Sequence, residues 1–557
     1  MCIRDSPYSH EDDPYQQYHY RSAMDNPRWS IANNDFNEAN DRLIGNTHLE
    51  YKPWEFLTIR YQIGVDFVIN NQKEVYELGS GETGGRTDPP SGGKITDFSY
   101  FTRAWNSNAS VTLNKSFGDF GVNLVVGQET DDSYAREITM YGEGFVIGGY
   151  HNMANSESQR PFENTYQMRT AGIYGSTTLS YKSILFLSAT AREDRVSNLA
   201  RGNRDFFYPS VGGSFVFSEL MPEFTNILTF GKIRSSYAMV GQAYGTPYAT
   251  RNVFVTSATG YGGFLQDGIQ FPFNGVTGFQ HYYILFSDDL RPQNTKTFEI
   301  GADLRFLQGR IGLDYTYFHS NVEDQIFEVP ISPSSGYQFE LRNAGVLKST
   351  GHEATLTLVP VKTQLFTWTM EANFTKYINT VEELAPGVED IYLGGFTTPS
   401  IRALQGETYP SIYGIGYERD ESGRIVVLDD PGNPYHGMPL ATSDAIKIGD
   451  VQPDFLIGFN STFTFKGVQV TALIDWKSGG EMYSGNNMLG ELYGALKITE
   501  DRETPLVLDA VKGYYDESGE LVITGENDIA IYRNQNFWDR TLNPLDEAHA
   551  VSYTHLR

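Results

Sequence analysis

Residues 455–476 read Phe455-Leu-Ile-Gly-Phe-Asn-Ser-Thr-Phe-Thr-Phe-Lys-Gly-Val-Gln-Val-Thr-Ala-Leu-Ile-Asp-Trp476. Up to Phe465 the odd positions are Phe455, Ile457, Phe459, Ser461, Phe463 and Phe465, and the even ones are Leu456, Gly458, Asn460, Thr462 and Thr464. After Lys466-Gly467 one face carries Val468, Val470, Ala472, Ile474 and Trp476, and the other Gln469, Thr471, Leu473, Asp475 and Lys477. A period of two places alternate side chains on opposite faces of a strand. Two such runs joined by Lys-Gly predict a hairpin with a tight turn, apolar on one side and polar on the other.

The same unit recurs in both directions. At 294–320, Phe298, Ile300, Ala302, Leu304 and Phe306 alternate with polar residues, turn at Gln308-Gly309-Arg310, and return as Ile311, Leu313, Tyr315 and Tyr317. At 350–377, Ala354, Leu356 and Leu358 turn near Pro360 to Gln364 into Phe366, Trp368, Met370, Ala372 and Phe374. Weaker copies lie at 41–70, 100–130, 165–194 and 206–240, turning near Lys52-Pro53, Phe117-Gly118-Asp119, Tyr181-Lys182-Ser183 and Met221-Pro222. Seven hairpins predict about fourteen strands. Between hairpins the connections are long, at 70–100, 130–165, 241–293, 320–350 and 377–452.

Short turns at one edge and long loops at the other are the pattern of a transmembrane antiparallel β-barrel. Several runs reach the roughly 9–11 residues that cross a bilayer with tilt. On this reading Asp303, Asp314, Glu353, Glu371 and Asp475 line a wet lumen, while the Phe, Tyr and Trp rows meet lipid. A β-sandwich, as in a secreted glycan-binding protein or glycoside hydrolase, would instead bury the aromatic face against a second sheet.

Composition sets the outer bounds. The 557 residues carry 42 − 69 = −27 charges, with a pI near 4.7, so the chain repels a phosphate backbone and nucleic acid is excluded as a partner. Mean hydropathy is −0.38, and no apolar run reaches the length of a membrane-spanning helix. An aromatic content of 14% is too high for a disordered chain. Cys2 is the single cysteine, which rules out an internal disulfide. Met1–Ser6 and Val551–Arg557 resemble translated adapter ends, leaving 7–550 as the folded segment.

No catalytic signature is present: there is no H-E-x-x-H, no G-x-S-x-G and no cysteine nucleophile in a site. Gly79–Thr87 lacks the Lys-Ser/Thr ending of a phosphate loop and reads as a surface loop. The acidic pairs Asp288-Asp289, Glu382-Glu383 and Asp429-Asp430 read as solvated loop charge. Calcium at Asp420–Gly423 or Asp429–Asn433 lacks the spaced oxygen ligands of an EF-hand. The expectation is no enzyme, no cofactor and no metal.

Several segments, in order, resemble the SusC/RagA family of TonB-dependent outer-membrane transporters of Bacteroidetes. They are Asp205-Phe-Phe-Tyr-Pro-Ser-Val-Gly-Gly-Ser-Phe-Val-Phe-Ser-Glu219, Lys232-Ile-Arg-Ser-Ser-Tyr-Ala-Met-Val-Gly241, Leu290-Arg-Pro-Gln-Asn-Thr-Lys-Thr-Phe-Glu-Ile-Gly301, Asn343-Ala-Gly345 with Gly351-His-Glu353, Gly449-Asp-Val-Gln-Pro-Asp454, and Lys466-Gly467 leading to Asp475. They cover roughly 200–480. The resemblance implies part of a barrel of roughly 22 strands that holds a plug. It also implies import of an oligosaccharide or a peptide, a SusD/RagB-like surface lipoprotein as lid, and work supplied by TonB with ExbB and ExbD. No plug or TonB-binding segment is visible in these residues. A passive porin-like barrel is the further alternative. Candidate contacts to solute are the lumen carboxylates Asp314, Glu371 and Asp475 and the loop aromatics Tyr337, Tyr417 and Trp538. Phe339 and Tyr413 belong to the same loop set.

Overall fold

The computed structural model describes residues 15, 17, 25–80, 92–221, 227–255, 271, 275–534, 536–538, 546–552 and 555–556. The period-two runs become fourteen long strands. These are β1 (Asp35–Trp54), β2 (Leu57–Tyr76), β3 (Lys94–Phe117), β4 (Phe120–Phe145), β5 (Ser156–Tyr181), β6 (Leu185–Val196) and β7 (Asp205–Val216). They continue as β8 (Leu228–Gln242), β9 (Gln293–Phe306), β10 (Ile311–Pro330), β11 (Phe339–Lys362), β12 (Phe366–Leu384), β13 (Pro453–Phe465) and β14 (Val468–Gly479). Each pairs antiparallel with its neighbour in the chain, forming one continuous sheet. Among the described residues β1 has no neighbour besides β2, and β14 adds only Trp476–Lys477 against His555–Leu556.

Turn chemistry fixes the register. In the 455–476 hairpin Phe465 pairs with Val468 across Lys466 (φ 47°) and Gly467 (φ 87°). Two consecutive left-handed residues match the right-handed twist of the flanking strands, which is why two-residue hairpins favour them. From there the pairing holds one parity across all fourteen strands. Trp105 lies opposite Val65, Ile173 opposite Gln128, Tyr237 opposite Phe298, and Phe374 opposite Ile457.

The apolar rows are not covered by a second sheet. Leu49 is 74% exposed, Ile173 66% and Val468 66%. A dry sandwich core is thereby excluded for the wall. Burial is instead concentrated at the loop end. One cluster gathers Phe327, Val329, Ala344, Leu347, Val381, Leu384, Ile391 and Ala403, and a second gathers Leu199, Ala249, Ile284, Leu290 and Leu341. The connection after β12 folds into a four-stranded sheet of Asp390–Gly395, Ser400–Leu404, Ser411–Tyr417 and Ala441–Asp450.

The sequence reading needs three corrections. The β1–β2 turn lies at Glu55-Phe56, and Lys52-Pro53 sits in an irregularity between Tyr51 and Trp54. Likewise the β11–β12 turn spans 363–365, with Pro360 inside a break between Leu358 and Val361. Proline has no N–H to give the ladder, and a bulge absorbs that loss without ending the strand. Third, the connections expected at 130–165 and 320–350 shrink to 146–155 and 331–338, because β4, β5, β10 and β11 run far past their alternating portions. The turn placed near Met221-Pro222 falls within 217–227, of which 222–226 lies outside the described residues. So do the adapter-like residues 1–6, most of the loop at 79–87, and Tyr553, Thr554 and Arg557.

Candidate functional site

The polar face of the wall is the candidate site, and glycine shapes it. On β4, β5 and β6 one cross-strand row reads Glu129, Gly172, Asp194. A Cβ at Gly172 would fall 2.1 Å from Asp194 Oδ1 and 2.8 Å from Arg192 Nη2. Because that Cβ is missing, Arg192 spans both carboxylates. Its Nη1 donates to Glu129 Oε2 at 2.6 Å and its Nε to Asp194 Oδ1 at 2.8 Å. Tyr208 donates to the second oxygen of Asp194, and Asn106 donates to Glu129 at 3.2 Å and to Asp131 at 2.7 Å.

The second cluster repeats the device. Arg234 on β8, Gly301 on β9 and Thr316 on β10 are level with one another. A Cβ on Gly301 would stand 3.0 Å from Arg234 Nε. Across that gap Arg234 grips Asp314 with two bonds, Nη1 to Oδ2 at 2.9 Å and Nη2 to Oδ1 at 2.6 Å, and also donates to Thr316 Oγ1 at 2.7 Å. Planar guanidinium on carboxylate in this fork is the strong form of ion pair. A groove of about 330 Å³ opens beside it, lined by Ser188, Ser214, Lys232, Arg234 and Glu299.

The expected site residues fall into two groups that the structure does not bring together. Asp314, Glu371 and Asp475 share the polar face of the wall. Asp314 is held by Arg234, whereas Glu371 accepts from Asn373 at 3.2 Å, and Asp475 stands over Gly458, where a Cβ would sit in tight contact at 3.3 Å from its Oδ1. Tyr337, Tyr417 and Trp538 belong to loop-end segments. Tyr337 meets His281 with rings 5.4 Å apart, and His281 in turn meets Phe254 at 4.4 Å. Burial, with Glu547 nearby, pushes the Tyr417 phenol up to about 12. Trp538 is 7% exposed and donates to the Arg533 carbonyl at 3.0 Å, so it packs within the loops. Phe339 packs in the second buried cluster, and Arg402 lies 4.7 Å over the Tyr413 ring.

Sequence reasoning missed Arg192, Glu129, Asp194 and Arg234. The signal was there in outline: a lumen-parity glycine inside a strand, with an arginine on the neighbouring strand. The Asp420 turn is closed by its own neighbours. Asp420 Oδ1 is occupied by the N–H groups of Ser422 and Arg424, both at 2.9 Å, and by Ser422 Oγ at 2.6 Å. Among the described residues no group of three His, Cys, Asp or Glu side chains could hold a metal ion, and no helix is long and apolar enough to cross a membrane.

The likenesses of this chain to known proteins agree with one another. The family profile described as TonB dependent receptor-like, beta-barrel matches residues 4–456. A TonB-dependent receptor of Formosa agariphila is 25% identical over 512 residues, covering 86% of this chain and 49% of that protein. The TonB-dependent receptor SusC of Bacteroides thetaiotaomicron is 23% identical over 504 residues, covering 83% and 47%. Among solved structures the RagAB peptide transporter superposes with a TM-score of 0.70 at 16% identity, over 85% of this chain and 51% of that one. The chain thus spans about half the length of the curated relatives it matches. It is an outer-membrane receptor barrel rather than an enzyme, and it belongs to the TonB-dependent receptor-like β-barrel family.

Proposed function

We propose that residues 7–550 form barrel wall and loops of a transporter that imports a bulky polar nutrient, an oligosaccharide in the first instance and a peptide otherwise. The observation that carries this is the parity of the wall. Fourteen strands keep lipid-compatible residues on one side and bonded charge on the other. About eight strands already give an interior that side chains can fill, so a wall of this width encloses a wet passage that needs a plug to stay shut. The folded loops at one edge offer a SusD/RagB-like lipoprotein a platform to lid, and TonB with ExbB and ExbD would supply work to the plug.

The test is uptake by cells carrying the full-length parent gene with its neighbouring lipoprotein gene. Labelled oligosaccharide and peptide panels are offered with and without a protonophore. Accumulation against a gradient that the protonophore abolishes supports active import, and the panel names the solute. Uptake that only equilibrates and ignores the protonophore would establish the passive barrel instead.

A further inference from the structure

The outward face changes character partway up the strands. On β5 it runs upward from the turn as Tyr181, Leu179, Thr177, Gly175, Ile173, Ala171 and then Arg169. On β6 it runs as Leu185, Leu187, Ala189, Ala191, Glu193 and Arg195. Where apolar side chains give way to charge, the lipid ends and water begins. Trp105 lies at that height, its indole edge-on to Phe67 with ring centroids 5.5 Å apart, in keeping with the interfacial preference of tryptophan.

A groove of about 440 Å³ straddles this boundary and sets Ile63, Trp105 and Ala171 beside Arg169, Arg195 and Arg204; Ala171 lies opposite Arg195, and Trp105 shares a cross-strand row with Arg169 through Asp132. Its floor includes small outward residues, Ser107 and Ala171. Arg103, two residues along β3 from Trp105, lies 5.3 Å over the Tyr134 ring with its Nε buried and without a partner. Arg169, Arg195 and Arg204 line the groove together with Asp131 and Asp132, and Arg204 donates to a carbonyl rather than to a carboxylate.

The guanidinium groups keep donors to spare. Arg169 gives Nε to Asp132 at 2.6 Å, Arg195 gives Nε and Nη2 to Asp205 at 2.5 and 2.9 Å, and Arg204 gives Nε to the Leu199 carbonyl at 2.8 Å. Each arginine has five N–H groups in a planar fork that suits phosphate oxygens. The Arg169 and Arg195 side chains are 66% and 71% exposed. We propose that this groove binds a phosphorylated membrane lipid, its head group on Arg169, Arg195 and Arg204 and an acyl chain along Ile63, Trp105 and Ala171. Apolar side chains directly beside the guanidinium groups select a lipid over a soluble anion.

The inference rests on the barrel's place in the membrane and not on what it transports, so failure of the import reading leaves it standing. Native mass spectrometry of the full-length protein in detergent, titrated with a bis-phosphorylated glucosamine lipid, provides the test. The expected result is a retained lipid whose affinity falls about tenfold or more, the scale of one or two lost charged hydrogen bonds, in Arg169→Gln/Arg195→Gln/Arg204→Gln. Arg204→Gln alone breaks no carboxylate pair, so it guards against misfolding of the triple variant; it should lose part of the affinity. Unchanged binding in either variant would overturn the proposal. So would equal retention of the dephosphorylated lipid, or displacement by millimolar inorganic phosphate alone.

Discussion

At the scale of single residues, Gly301 and Arg234 form one unit. A Cβ at 301 would stand 2.7 Å from the Tyr315 carbonyl oxygen, which is backbone and cannot swing aside. Gly301→Val should therefore destabilise the barrel by roughly 2–3 kcal/mol, the range for overpacking. Arg234→Gln should lose only about 1 kcal/mol, since Arg234 and Asp314 are 36% and 44% exposed and water screens the freed carboxylate. Urea midpoints in lipid for the two variants check the order. A second residue-scale case is a pair of twins. Asp420-Glu-Ser-Gly423 and Asp516-Glu-Ser-Gly519 fold identically, each aspartate accepting from the serine two residues on and the N–H four residues on, with glycine φ at 85° and 83°. Ser422 and Arg424 hold the Asp420 carboxyl at about 2, below its ordinary value of 3.8. Its folded value is depressed, so the turn is fully supported above the ordinary value and loosens as pH falls through about 2. Exchange rates of the Ser422 and Arg424 amides across that window should report it, and Asp420→Ala should remove the dependence. The turns are readable in sequence, whereas arginine bridges spanning three strands are not, because they join residues 63 and 80 apart.

At the scale of elements, all seven hairpins were legible, because lipid on one side and water on the other force alternation. The two proline bulges were not, since Pro53 and Pro360 look like turns until the ladder around them is seen. Nor were the upper halves of β4, β5, β10 and β11. Beyond the lipid both faces of a strand are wet, so the backbone ladder continues while its sequence signature fades. Adjacent positions on β11 separate the two regimes. Ala354 faces outward opposite Tyr315, and Thr355 faces inward opposite Asp314. Ala354→Arg should destabilise insertion by about 2–4 kcal/mol and Thr355→Arg by well under 1, as depth-dependent penalties on the lipid face require. Folding titrations into bilayers of defined thickness measure both.

At the scale of the whole molecule, the loop end is a folded assembly in its own right. Asp546 and Glu547 lie against the strand Ser411–Tyr417, accepting from the Ile415 N–H at 2.9 Å and the Tyr417 N–H at 2.8 Å in place of a neighbouring strand. Burial lowers the proton affinity of the nearby His549, which is 3% exposed against Tyr483. A base depressed on docking stabilises the docked form above its ordinary value near 6.5 and loses that contribution as pH falls below it. Burial of Asp546 acts with the opposite sign, raising its carboxyl and favouring docking in more acidic solution. Amide protection at Ile415 and Tyr417 should therefore drop between about pH 7 and pH 5.5, the titration window of histidine, and His549→Phe should flatten that drop.

The longest strands have a consequence for the cell surface. β4 and β5 are each 26 residues long, roughly 85 Å along the chain at about 3.3 Å per residue, and a tilted crossing consumes fewer than half of those residues. What remains is a hydrogen-bonded chimney rising clear of the lipid. A protease, phage or antibody arriving from outside meets this parapet first, and shaving intact cells should trim the crown while leaving the masonry below it uncut.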